Sequence, residues 1–79
     1  MILEGFEKAI VGIQKNTNRV VYSNQIMVNI LIENGMNRDE AIEYLEHNFW
    51  SSWIGENNPI YMDQMNHDEL IEMINEGLD

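Results

Sequence analysis

The stretch AIVGIQKNTNRVVYS, residues 9–23, decides the fold class. Ala9, Val11 and Ile13 alternate along one face, and Arg19-Val20-Val21-Tyr22 is β-branched and aromatic, the composition that suits a pleated, half-buried strand. Between them Lys15-Asn16-Thr17-Asn18 supplies turn residues, the asparagines tolerating left-handed backbone. The spacing predicts a β-hairpin. Gly12 inside the first strand signals a bulge or a close neighbour. Ahead of it, Leu3 to Glu7 reads as a helical turn or a lead-in.

Working outward, Ser23 has the chemistry of an N-cap, for a helix that stops near Gly35. On its wheel Ile26, Met27, Val28, Ile30, Leu31 and Ile32 cover more than half the circumference. Such a helix is buried between layers or shared with a second subunit. Asn37 and Glu40 then form a capping-box pattern, with Asp39 where the helix dipole favours an anion. Ala41, Ile42, Leu45, Phe49 and Trp53 follow along one face, and Gly55 is the expected stop. Pro59-Ile60-Tyr61-Met62 reads as a short strand with proline at its start. Asn66 and Glu69 repeat the capping-box spacing and open a last helix through Leu70, Ile71, Met73 and Ile74 to Gly77. The predicted order is ββααβα in a single domain spanning 1–79. This is an α+β fold, a small antiparallel sheet of the hairpin plus one later strand, packed with three helices.

Charge is the strongest compositional signal. The 79 residues carry 14 acids and 4 bases, a formal net of −10. Residues 1–38 hold three acids and four bases, a net of +1, whereas residues 39–79 hold eleven acids and no Lys or Arg, a net of −11. Free nucleic acid and anionic membranes are poor partners for such a surface, and a basic protein surface is a good one. There is no cysteine, so neither a disulfide framework nor a thiolate metal site can form. Glu4, Glu7 and Lys8 interrupt any apolar leader, and no stretch has the apolar length of a membrane span. The expected location is therefore the cytoplasm of the cell that makes the chain.

One set of residues carries a resemblance. Gly5-Phe6-Glu7 with Ala9 and Gly12, then Val21-Tyr22-Ser23, Gly35-Met36, Glu40 through Glu46 with Asn48, and Gly55-Glu56 with Pro59-Ile60-Tyr61 together resemble a group of small uncharacterised proteins of tailed bacteriophages. The likeness covers roughly residues 2–62, and its most specific part runs from Glu40 to Ile60. The last helix lies outside it, and Phe49-Trp50-Ser51-Ser52-Trp53 is bulkier than the group's pattern at that point. The resemblance assigns no catalytic residue. It implies a phage-encoded protein made inside a host bacterium, where small acidic proteins bind and block host enzymes, defence nucleases included.

Candidate chemistry follows from residue types. Ser23, Ser51 and Ser52 lack the company of a triad, and no phosphate-binding glycine loop or dinucleotide fingerprint is present. The expectation is a non-enzymatic protein without a cofactor. Glu43 with His47, and Asp63 with His67, stand at i, i+4, a spacing open to zinc, but each pair also reads as ordinary helix surface, so no metal site is assigned. A small metal-dependent enzyme using His47 and His67 is the weaker alternative.

The main expectation concerns Asp39, Glu43, Glu46 and Trp50, spaced i, i+4, i+7, i+11, which places three carboxylates and an indole in one helical stripe. Asp68, Glu69, Glu72 and Glu76 gather on the last helix, and Trp53 and Glu56 extend the surface. An acidic stripe with an aromatic anchor suits a basic groove on a host protein, because charge steers the encounter and a desolvated Trp supplies affinity. Rows of carboxylates also imitate DNA phosphates. The alternative is a homodimer or larger assembly built through Ile26, Ile30 and Ile32.

Overall fold

The computed structural model describes residues 2–51 and 58–77. A 3₁₀ turn, Glu7–Ala9, leads into β1 (Ile10–Ile13), which is followed by β2 (Val20–Ser23), α1 (Asn24–Glu33) and α2 (Arg38–Leu45). A π-helical turn (Glu46–Trp50), β3 (Ile60–Met62) and α3 (His67–Glu76) complete the order. The α+β class and the ββααβα order are those expected from the sequence.

The hairpin forms with its alternation interrupted. Ile10 pairs with Tyr22, but the next pairs are Gly12 with Val21 and Ile13 with Val20, so Val11 is an extra residue. Such a bulge turns the residues beyond it relative to those before it. The expected single face of Ala9, Val11 and Ile13 is therefore not one face. Ala9 is buried in the 3₁₀ turn, while Val11 and Ile13 are exposed. Asn16 and Asn18 hold positive φ, 83° and 57°, which closes the hairpin turn as the asparagines predict.

β3 joins the other edge of β2 in parallel, with Val21, Tyr22 and Ser23 opposite Ile60, Tyr61 and Met62. The sheet is thus mixed, an antiparallel hairpin plus a later parallel strand, where the sequence reading had the whole sheet antiparallel. A parallel neighbour needs a long crossover, and residues 24–59, with α1 and α2, supply it. The short third strand is clamped at both ends. Arg19 Nε donates to the Asn58 carbonyl at 2.7 Å before it. Beyond it, Asn24 Nδ2 donates to Asp63 at 2.8 Å and Gln64 N donates to Gln25 Oε1 at 2.9 Å.

The helices begin and end by local chemistry. Ser23 Oγ accepts from Ile26 N at 3.3 Å. At the other end of α1, Gly35 at φ 111° lets Gly35 N donate to Ile32 O and Met36 N to Leu31 O, a Schellman closure that satisfies the last carbonyls. Met36 packs against the core cluster that holds Leu31, the hydrophobic contact that accompanies this motif. Asn37 and Glu40 form the reciprocal capping box, with bonds of 2.8 and 3.1 Å.

The core lies between the sheet and the first two helices: Phe6, Ala9, Tyr22, Met27, Val28, Leu31, Ala41 and Leu45. Tyr22 is fully buried, and its phenol oxygen accepts from Leu3 N at 2.8 Å, tying the lead-in to the central strand. Phe6 meets Phe49 edge-on at 5.4 Å, which ties the same lead-in to the π turn. α3 contributes no buried residue. Among the described residues α1 packs on β2, and α2 packs on α1.

Candidate functional site

Negative charge leaves the core and collects on the helices of the second half. Asp39, Glu40, Glu43, Glu46, Asp63, Asp68, Glu69, Glu72 and Glu76 are all exposed. Among the described residues none of these carboxylates is in an ion pair with Lys, Arg or His. Glu40 is engaged in the capping box and Asp63 accepts from Asn24; the others point into solvent free of a cation. Asp39 and Glu40 begin α2, and Asp68 and Glu69 begin α3, where the helix dipole favours anions. Glu76 stands at the far end of α3, where no base offsets the dipole, and Glu46 opens the π turn that continues α2. These carboxylates are held apart from compensating charge at a cost to the fold.

The stripe on α2 is present for Asp39, Glu43 and Glu46 and departs from expectation at Trp50. The α-helix stops at Leu45, and residues 46–50 take π geometry, with the Asn48 amide donating to Tyr44 O at 2.8 Å. A π turn advances fewer degrees per residue than an α turn. Trp50 is thereby rotated off the carboxylate line toward Arg38 and Ile42, and its half-buried indole packs against the core. Trp53 and Glu56 lie outside the described residues. Ile26 and Ile30 pack against the core, and Ile32 is 38 % exposed. No group of three His, Cys, Asp or Glu side chains that could hold a metal ion occurs among the described residues.

Two clefts flank α2. One, of about 360 Å³, is lined by Asn24, Gln25, Val28, Asn29, Arg38, Ile42, Trp50 and Asp63. The other, of about 330 Å³, runs along Met36, Glu40, Glu43, Tyr44, His47 and Asn48, so Met36 and Tyr44 lie beside Glu43 of the stripe. In the first, Trp50 Nε1 and Asn24 Oδ1 are sealed from solvent and have no hydrogen-bond partner among the described residues. A buried donor left without a partner costs about 1–3 kcal/mol. Replacing Trp50 by Phe keeps an aromatic ring and removes that donor. The melting temperature of Trp50→Phe is therefore expected to equal or exceed that of the parent in a thermal melt; a fall of several degrees would mean that the indole N–H has a partner in solution.

Among the described residues two titrating groups are shifted, Glu7 and Tyr61. Glu7 lies below the usual carboxylate range because Gly5 N donates to it at 3.0 Å, assisted by its own backbone N–H. Tyr61 is raised by burial and by the neighbouring Tyr22.

The sequence reading did not find α3's apolar surface as something left open. Leu70, Ile71, Met73 and Ile74 are 41, 42, 41 and 50 % exposed. Their spacing was legible, but a helix facing its own core and one facing outward carry the same pattern. No helix among the described residues is long and apolar enough to cross a membrane. Comparison with known proteins finds no matching family model, no matching curated protein and no matching solved structure.

Proposed function

We propose that this chain is a binding protein that sets the carboxylates of its second half against a basic surface of another protein. The observation that carries the reading is the set of exposed acids on α2 and α3 that form no ion pair among the described residues. Like charges at i, i+3 and i+4 spacing weaken a helix by a few tenths of a kcal/mol per pair. A row of them, kept without a Lys or Arg after residue 38, is accounted for by a cation supplied from outside. In the setting implied by the phage resemblance, the partner is a host enzyme, a nuclease or defence factor, whose nucleic-acid channel the carboxylates occupy in place of phosphates. The partner's reaction is blocked by occupancy, and no chemistry by this chain is required.

The test is capture of proteins from a bacterial host lysate on the immobilised chain, followed by elution in rising salt. The screening length falls from about 10 Å at 0.1 M to about 3 Å at 1 M, so a charge-guided partner leaves the resin within that range. The expected eluate is a basic protein released by salt. Partners retained unchanged through the gradient, or an eluate of acidic proteins, contradict the reading.

A further inference from the structure

The helix at the end of the described chain is poorly explained by the fold it belongs to. From Met65 to Gly77 every hydrogen bond among the described residues stays within the helix and its cap, where Asn66 Oδ1 accepts from Glu69 N at 2.9 Å. No residue of α3 is buried, yet its two sides are sharply different. At about 100° per residue, Leu70, Ile71, Met73 and Ile74 fill an arc of about 160°. Asp68, Glu69, Glu72, Asn75 and Glu76 fill the rest, and His67 opens the helix within the apolar arc. Four large apolar side chains between two-fifths and half exposed on one helix form a surface that water does not favour.

We propose that α3 is a docking helix, whose apolar arc seats in a groove of a partner protein lined by apolar side chains and rimmed by Lys and Arg. This rests on the reading of the chain as a charge-guided binding protein, and names the element and the partner chemistry. Charge selects the occupant. A second copy would bring the same four carboxylates on its own α3, with no Lys or Arg there, and a whole-chain charge of −10. An anionic lipid surface is excluded on the same sign. A basic-rimmed groove meets both halves of the helix at once, in the helix-in-groove mode of peptide recognition. The wheel also ranks the acids. Glu69 stands beside Met73 at the edge of the apolar arc, within reach of a groove wall, while Glu72 stands at the middle of the polar side.

The test uses the full chain and a synthetic two-helix hairpin presenting a Leu/Ile groove with Lys along its rim, beside a twin with Glu along its rim. Titration calorimetry is expected to give binding at least about tenfold tighter to the Lys-rimmed hairpin. Ile71→Glu or Ile74→Glu is expected to weaken it by about tenfold or more. Glu69→Gln weakens it severalfold and Glu72→Gln leaves it unchanged. All four variants should melt with the parent, since none of these residues is in the core. Equal affinity for both hairpins, or unchanged affinity in Ile71→Glu and Ile74→Glu, overturns the proposal. So does a dimer in light scattering that Ile74→Glu dissolves, because the occupant is then a second copy. If the Lys-rimmed hairpin binds with salt sensitivity but ignores the isoleucine variants, α3 is not the docking element and the charge-guided reading stands. If binding is indifferent to both salt and rim charge, that reading fails as well.

Discussion

Leu45→Ala is expected to remove about 2–5 kcal/mol of stability, the range for deleting a fully buried leucine side chain. Leu45 is wholly buried on α2, in the cluster shared with Met27 and Leu31 of α1 and Tyr22 of β2. It is also the last α-helical residue before the backbone opens into the π turn. A cavity there loosens α2 from the layer below and removes the fixed end from which Phe49 and Trp50 are aimed. Domains have about 0.05–0.15 kcal/mol of stability per residue, so for a chain this short the loss is a large part of the total. At about 4–8 °C per kcal/mol for this size of domain, the melting temperature falls by roughly 8–40 °C. The control is Ile74→Ala on α3, which should shift it by no more than a degree or two. Similar losses from the two substitutions would mean that α3 belongs to the folded core, and the separation of the two surfaces would be lost with it.

Combining Glu43→Gln, Glu46→Gln and Glu76→Gln is expected to move stability and binding in opposite directions. None of the three lies in the first turn of α2 or α3, so none is favoured by their N-terminal dipoles, and Glu76 stands where an anion is disfavoured. Each also has a carboxylate three or four positions away: Asp39 and Glu46 for Glu43, and Glu72 for Glu76. Neutralising them removes repulsion worth a few tenths of a kcal/mol per pair, and the variant should melt slightly above the parent. The association rate with the captured partner should fall by about tenfold or more at low salt, because steering by such a field accounts for factors of 10 to 10³. Residues kept for solubility alone would leave that rate unchanged, and residues kept for stability would lower the melting temperature when neutralised.

How much of this was legible in the sequence depends on the range of the interactions that decide it. The caps were legible because they are local. Ser23, Asn37 and Asn66 each accept from a backbone N–H three residues on, and Gly35 takes the positive φ that ends α1. The hairpin turn was legible in Asn16 and Asn18 for the same reason. The parallel entry of β3 was not, since it depends on where residues 24–59 bring Ile60, and on clamps such as Arg19 to Asn58 that span 39 positions. Gly12 announced a bulge, but not that Val11 would be the extra residue and Ile13 would end up exposed. At the candidate site, the exposure of Asp39, Glu43 and Glu46 follows from charge, since carboxylates leave an apolar core unless paired. The turning of Trp50 does not, because it comes from a π turn that a 3.6-residue wheel cannot represent.

The central claim is that the exposed carboxylates of α2 and α3 attract a cationic protein. Its most direct measurement is the association rate of the captured partner as ionic strength is raised, for the parent chain and for the triple glutamine variant. A steep fall is expected for the parent, a shallow one for the variant, and two curves that meet at high salt. Flat and parallel curves would show that charge takes no part in the encounter.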